Sequence, residues 1–180
     1  MVYVVGDSHA RELFAGHNEY DNHKVGTWAA FRLHTHHEEF VRHLNGHEHD
    51  KIIVVFGEID VREHIVDQAK KQNRTTDELV DDTAFSFVEY ISSLCYDISI
   101  LSVPPTGDGD DDKVFRGTYE ERKHITERLN ARYEYYCGRF NVPFVNVYKY
   151  LVDENGDRRK ELVVDQVHLG CIADIINDRR

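Results

Sequence analysis

Short apolar runs alternate with longer amphipathic stretches along this chain of 180 residues. Five of the runs are short, apolar and partly β-branched, which is typical of strands that are buried on both faces of a sheet. The run KIIVVF, which ends before Gly57, has the strongest strand character. We predict strands at Val2–Val5, Lys24–Trp28 (the weakest), Lys51–Phe56, Asp97–Val103 and Pro143–Val147.

The stretches between these runs place apolar residues three and four positions apart, which is the spacing of a helix with one buried face. Buried strands that alternate with helices favour a parallel sheet covered on both sides. We therefore predict an α/β fold with a parallel sheet of about five strands, formed by residues 1–180 as a single domain. The predicted helices are His9–Gly16, Ala29–Leu44, Asp77–Leu94, Tyr119–Phe140 and His168–Asn177.

Three loops with unusual chemistry follow predicted strands. They contain Gly6-Asp7-Ser8, Gly57-Glu58-Ile59-Asp60 and Pro104-Pro105. In parallel α/β sheets, ligands bind at the carboxyl ends of the strands, near the point where the strand order reverses. Because these loops follow strands, we expect them to meet at one rim of the sheet and to form the functional site there.

Charge and composition narrow the partners that this site could have. The 22 basic and 33 acidic residues give a formal net charge of −11, which disfavours a nucleic-acid partner because such binding depends on neutralising phosphates. No apolar run approaches the length of a membrane span, so we predict no membrane partner. CxxC spacing is absent among Cys95, Cys137 and Cys171. The chain enters an apolar strand at Val2 without the basic and then hydrophobic segment of a secretion signal. We therefore predict reduced thiols and a cytoplasmic location.

Ser8, Asp165 and His168 are the candidate catalytic residues. A serine hydroxyl needs a base to remove its proton, and an imidazole base needs an acceptor that fixes its tautomer. Two structural alternatives stay open: Asp7 and Ser8 could cap a helix, and Asp165 could be a surface acid beside a histidine. The appearance of both motifs at opposite ends of one α/β chain favours catalysis.

Gly6-Asp7-Ser8-His9-Ala10 and Asp165-Gln166-Val167-His168 resemble the first and last sequence blocks of the SGNH/GDSL hydrolases. That resemblance implies a three-layer, flavodoxin-like fold and the cleavage of esters, often acyl groups on carbohydrates or lipids. It also implies that Ser8 is the nucleophile, His168 the general base and Asp165 its partner. Val25-Gly26-Thr27 is similar to the second block of the family, whose glycine supplies an N–H group to the oxyanion.

The third block departs from the family pattern Gly-x-Asn-Asp. Gly57-Glu58-Ile59-Asp60 places an isoleucine where the family has an asparagine that donates to the oxyanion. The wider segment FGEIDVR resembles a little-characterised branch that pairs it with GDSH, and there Arg62 could replace the missing donor or bind an anionic substrate group. In an extended segment Glu58, Asp60, Arg62 and His64 would share one face. The alternative is that Glu58 or Asp60 pairs with Arg62 to brace the loop.

Two further segments could suggest a metal. The histidines between His34 and His49 lack a fixed ligand set, and a solvated helix face is the favoured interpretation. The acidic run Asp108–Asp112 does not fit an EF-hand, because Lys113 stands where the glycine should be. We predict no metal and no cofactor, and we interpret the acidic run as a mobile rim loop that could act as a lid.

The leading hypothesis is a serine esterase or deacylase that acts on a small-molecule or carbohydrate ester, with an O-acyl group on a sugar as one candidate. A non-catalytic protein that binds glycans or small molecules through a degenerate site is the second hypothesis. An acyltransferase that uses the same triad is the third. The sequence does not fix the oligomeric state.

Overall fold

The computed structural model describes residues 1–111 and 113–177. Five strands form one sheet in which every neighbouring pair is parallel, and their order is β2-β1-β3-β4-β5. This is the strand order of a flavodoxin-like fold, in which the order reverses between β1 and β3. The strands are β1 Val2–Gly6, β2 Tyr20–Lys24, β3 Lys51–Val55, β4 Ile98–Leu101 and β5 Phe144–Val145.

Helices connect the strands and cover both faces of the sheet. Thr75 and Thr118 begin the two longest helices with capping boxes, in which Glu78 and Glu121 return the hydrogen bond. The helices are α1 Ser8–Glu12, α2 His37–Leu44, α3 Ile65–Gln72, α4 Thr76–Ser92, α5 Tyr119–Phe140, α6 Tyr148–Leu151 and α7 Ala173–Asn177. Short 3₁₀ segments lie at Ala30–His36 and Lys160–Leu162, and a π-helical turn at Asp60–His64 leads into α3.

Two hydrophobic cores lie on opposite faces of the sheet. Tyr3 and Val5 point into the larger core, against α2, α3, α4 and α5. Val2 and Val4 point into the smaller core, against α1, α6 and α7. Because successive strand residues face opposite sides, β1 serves both cores, and the arrangement is the predicted three-layer α/β fold.

The second strand is shifted from its predicted position. It spans Tyr20–Lys24 where Lys24–Trp28 was predicted, and Val25 lies just beyond its end. The strand lies at the edge of the sheet and buries only Tyr20. Its polar residues therefore hid it from a search for apolar runs.

Three predicted helices are shorter than expected. Helix α1 ends at Glu12, whereas the prediction extended to Gly16. The segment from Ala29 becomes α-helical only at His37, after the 3₁₀ segment. The closing helix begins at Ala173, which leaves His168 in the preceding loop. None of the helices in the described part of the chain has the length and apolar character needed to cross a membrane.

Candidate active site

Ser8, His168 and Asp165 meet at the carboxyl end of β1. His168 Nε2 lies 2.9 Å from Ser8 Oγ, and His168 Nδ1 lies 2.9 Å from Asp165 Oδ2. The serine is the first residue of α1 and follows the strand beside which the sheet order reverses. This geometry places an acceptor for the serine proton on one side of the imidazole and a carboxylate on the other.

A tight turn holds Asp165 and His168 next to each other. Val163 and Leu169 pair as an antiparallel bridge, and Asp165 and His168 lie in the turn between them. Asp165 Oδ1 accepts hydrogen bonds from the backbone N–H groups of Val167 and His168, each 2.7 Å long. Burial alone would raise the pKa of Asp165, but these bonds and the His168 side chain lower that pKa to about 2. The carboxylate is therefore ionised at neutral pH.

Asp7 caps the short helix that carries the serine. Its Oδ1 accepts a 2.9 Å hydrogen bond from the backbone N–H of His9, as an N-cap residue does. Capping and a role for Ser8 in chemistry are compatible, because the cap orients the first turn that presents the hydroxyl. Among the described residues, Asp7 Oδ2 is buried without a hydrogen-bond partner.

His9 joins the first and last segments of the site. It is fully buried, with Nδ1 3.2 Å from Asp7 Oδ1 and Nε2 3.3 Å from the carbonyl oxygen of Val167. Burial lowers the pKa of His9, but the hydrogen bond and charge of Asp7 outweigh it and raise the pKa overall. Both ring nitrogens of His9 face acceptors, so the geometry favours an imidazolium. This ring connects the N-cap residue of α1 to the turn that carries His168. The ring centroids of His9 and His168 are 5.0 Å apart.

We predict that His9 acts as a positioning residue. His9→Ala removes the bond to Val167 and lets the turn that carries His168 move, so kcat should fall on the order of 100-fold with a smaller change in KM. His9→Gln keeps an N–H donor near the position of Nε2 and should recover part of that loss. Steady-state kinetics and thermal unfolding of both variants check this. Equal kcat in all three proteins would contradict it.

Two backbone N–H groups near Ser8 are candidates for an oxyanion site. Val25 donates a 2.9 Å hydrogen bond to the carbonyl of Gly6, which holds the loop after β2 beside the start of α1. The N–H groups of Ser8 and Gly26 have no acceptor within residues 1–111 and 113–177. Ile59, at the position of the family's asparagine, is buried and offers no side-chain donor.

The third block is helical, so the expectation of an extended segment with one shared face is wrong. Gly57 has a φ of 120°, which favours glycine, and the chain then turns directly into a helix. Glu58 and Arg62 lie four residues apart on that helix, and Arg62 Nε donates to Glu58 Oε1 at 2.9 Å. The guanidinium also donates to the carbonyl of Val114 at 2.9 Å. In this structure Arg62 braces the block, and Asp60 points elsewhere.

Asp60 caps the 3₁₀ segment across the rim. Its two carboxylate oxygens accept backbone hydrogen bonds from Ala30 at 2.6 Å and Phe31 at 3.2 Å. Ala29, the N-cap residue of this segment, makes no side-chain capping bond. The carboxylate of Asp60 therefore caps the segment from a distant part of the chain. Burial raises the pKa of Asp60 to about 7, even though the two N–H bonds oppose the shift.

The raised pKa of Asp60 predicts a loss of stability with rising pH. The folded protein holds this proton more tightly than the unfolded chain, so its free energy of unfolding should decrease as the pH rises from about 4 to about 7. Asp60→Asn lacks this titration, so its Tm should improve relative to the parent protein across the same window. Asp174→Asn removes an exposed carboxyl as a control. A Tm difference that stays constant between pH 4 and 7.5 would refute the assignment.

Arg122 is a buried residue that sequence reasoning missed. Its guanidinium donates to the carbonyls of Gly107, Gly109 and Gly117 at 3.0, 2.6 and 2.7 Å and lies over the Phe115 ring. The sequence does contain a signal for the burial of Arg122, because this residue lies three positions before Ile125 on the apolar stripe of α5.

The acidic rim loop lies beside the turn that holds Asp165 and His168. An added Cβ at Gly107 would stand 2.0 Å from the carbonyl oxygen of Gln166, so only glycine fits this contact. Asp108 accepts a 3.1 Å hydrogen bond from Arg158, which also donates to the carbonyl of Asp165. Arg158 thus connects the described part of the loop to the turn of Asp165 and His168. Residue 112 of the acidic run lies outside the described residues.

Several of the histidines between His34 and His49 pack on aromatic rings. His36 stacks on Trp28 with ring centroids 4.7 Å apart, and His47 stacks on Tyr3 at 3.6 Å. Within residues 1–111 and 113–177, no group of three or more His, Cys, Asp or Glu side chains is placed to hold a metal ion.

Comparison with protein-family models and with curated proteins finds no match to this chain. Solved structures do match its fold. A GDSL-like lipase from Bacteroides thetaiotaomicron is 19% identical with a TM-score of 0.66, over 99% of this chain and 88% of that one. An acetyl xylan esterase from Geobacillus stearothermophilus is 15% identical with a TM-score of 0.58, over 99% and 90%. A carbohydrate acetylesterase from Sinorhizobium meliloti is 15% identical with a TM-score of 0.54, over 94% and 90%.

These likenesses extend over almost the whole chain at low sequence identity. The chain therefore has the three-layer α/β fold of GDSL-like lipases and carbohydrate esterases, as predicted.

Proposed function

We propose that this protein is a serine ester hydrolase of the SGNH/GDSL type. The observation that carries the proposal is the chain of hydrogen bonds from Ser8 Oγ through His168 to Asp165, with both links at 2.9 Å. It lies at the carboxyl end of the central strands, where this class of sheet binds its ligands. The single-domain assignment of residues 1–180 and the cytoplasmic location stay predictions.

The same atoms support a complete reaction. Ser8 Oγ attacks the ester carbonyl while His168 Nε2 takes the hydroxyl proton, and Asp165 stabilises the imidazolium that forms. The N–H groups of Ser8 and Gly26 would hold the oxyanion of the tetrahedral intermediate. The intermediate collapses to an acyl-serine as His168 returns the proton to the leaving alcohol. Water then attacks with His168 as base, which releases the acid and regenerates the hydroxyl.

The absence of an asparagine at position 59 predicts modest turnover. One oxyanion donor typically contributes on the order of 100- to 1,000-fold in kcat, and Arg62 is turned to Glu58 and so does not replace it. We therefore expect a slow esterase that depends on its two backbone donors.

The names of the solved neighbours suggest a substrate. An acetyl xylan esterase and a carbohydrate acetylesterase share the fold, so we propose an O-acetyl group on a carbohydrate as the first candidate ester. Acetate release from O-acetylated xylo-oligosaccharides and from 4-nitrophenyl acetate tests this. Release that saturates with substrate is expected. No release from either compound or from longer acyl esters would overturn the proposal.

The isoleucine at position 59 also supports a second candidate, a glycan-binding protein without turnover. The two candidates differ in whether Ser8 reacts. An acylated or phosphonylated Ser8 favours the hydrolase. Binding of an O-acetylated oligosaccharide without acetate release and without covalent labelling favours the binding protein.

A further inference from the structure

A cavity of about 300 Å³ lies between the 3₁₀ segment Ala30–His36 and helices α3 and α4. Buried apolar side chains, including Ile65 and Leu79, form part of its wall. The polar and aromatic side chains that line it include Phe31, Arg32, His64, Gln68, Lys71 and Gln72. The cavity does not include Ser8, so it is separate from the catalytic groups themselves.

The charge of the cavity contrasts with that of the whole protein. The chain carries a net charge of −11, yet Arg32 and Lys71 line this cavity without a carboxylate partner among residues 1–111 and 113–177. Asp60 is the one acid in the lining, and both of its oxygens accept backbone hydrogen bonds. Two basic side chains are therefore free to bind an anionic group.

The other lining residues fit a sugar. Gln68 and Gln72 place their amide groups on one face of α3, where Gln72 donates to Gln68 at 3.3 Å. Half-buried His64 adds an imidazole whose pKa burial lowers. Phe31 is partly exposed at the cavity and offers a flat ring face. Amides and an imidazole suit hydroxyl groups, and an aromatic face suits the C–H face of a sugar ring.

The cavity is close to the proposed oxyanion site because the same loops build both. Ala29 lines the cavity and follows Gly26 by three residues, so their Cα atoms are at most about 11 Å apart. Asp60 lines it as well and is the neighbour of Ile59 in the third block. A ligand of a few sugar units could therefore occupy the cavity while its acyl group lies at Ser8.

We propose that this cavity binds a carboxylate-bearing sugar residue of the substrate, with Arg32 and Lys71 pairing with the carboxylate. The inference rests on the proposed ester hydrolase and narrows its substrate to acylated acidic glycans. The pairing sets a preference for O-acetylated uronic-acid oligosaccharides over neutral ones of the same length.

Kinetics with matched substrates test the preference. We expect kcat/KM for O-acetylated oligogalacturonate to exceed that for O-acetylated xylo-oligosaccharide on the order of tenfold. Combining Arg32→Gln with Lys71→Gln should raise KM for the acidic substrate and bring this ratio close to one. Lys70→Gln removes an exposed charge that does not line the cavity and should keep the ratio.

Direct binding separates this inference from the proposed function. Calorimetry with non-acetylated oligogalacturonate needs no turnover, and we expect binding to the parent protein and to Lys70→Gln. The double variant should lose it at least tenfold. Retained 4-nitrophenyl acetate hydrolysis without oligogalacturonate binding would overturn the cavity assignment alone. Binding that depends on Arg32 and Lys71 without any hydrolysis would keep the cavity and overturn the esterase.

Discussion

Ser8→Ala is expected to reduce kcat for ester hydrolysis by at least about 10⁴-fold while leaving the fold intact. Among the described residues, the Ser8 hydroxyl is the side-chain group that hydrogen-bonds His168 Nε2, at 2.9 Å. In the triads of serine hydrolases, removing the nucleophile leaves only the catalysis that the oxyanion donors and substrate binding provide. Acetate release, measured with thermal unfolding as a check on the fold, gives the answer.

Ser92→Ala is the matched control for this change. Ser92 lies at the end of α4, where its hydroxyl donates to the carbonyl of Glu89. It should keep parental kcat and KM. Hydrolysis by Ser8→Ala at more than about a tenth of the parental rate would contradict the assigned nucleophile.

Asp165→Asn is expected to lower kcat on the order of 10⁴-fold, as the corresponding change does in the serine protease triad. An amide cannot stabilise the imidazolium. Asp165 Oδ1 also accepts two backbone N–H bonds, so the amide oxygen would take that place and turn its NH₂ group toward His168 Nδ1. Nε2 would then carry the hydrogen, and His168 could not accept the serine proton.

Substrate binding by this variant separates the loss of the base from a loss of folding. If the loss comes from the wrong tautomer, Asp165→Asn should bind an unreactive substrate analogue as the parent does. Asp174→Asn again controls for the removal of one exposed carboxyl. A decrease in kcat of less than tenfold would show that Asp165 is a surface acid beside a histidine.

The parts of the fold that the sequence predicts well carry strong periodic signals. β1 is apolar throughout and β3 is apolar after Lys51, because both faces of these strands are covered, and both match the predicted runs within a residue. Helix α5 spans Tyr119–Phe140 as predicted, since its apolar stripe and its Thr118 cap mark a long, amphipathic element. The candidate residues Ser8, Asp165 and His168 are recognisable because they bracket this pattern at its two ends.

The features that escaped prediction depend on contacts between distant segments. In the sequence, nothing distinguishes His9 from any other residue next to Ser8. Its role depends on the fold, which brings the carbonyl of Val167 to the His9 ring. The sequence leaves Glu58 and Asp60 as alternative partners for Arg62. In the fold Arg62 pairs with Glu58, and the carboxylate of Asp60 turns to Ala30. Helix α3, Ile65–Gln72, is not among the predicted helices. The local hydrophobic pattern predicts the strands and helices. The positions of the site residues depend on hydrogen bonds between segments that are distant in the sequence.

Covalent labelling of Ser8 tests the central claim most directly. A fluorophosphonate probe reacts with an activated serine by forming a P–O bond as fluoride leaves, and peptide mapping by mass spectrometry locates the adduct. We predict one adduct, on Ser8, that is absent from Ser8→Ala and greatly slowed in His168→Ala. An unlabelled Ser8 in a folded protein, or an adduct on another residue, would contradict the assignment of Ser8 as the nucleophile of a serine hydrolase.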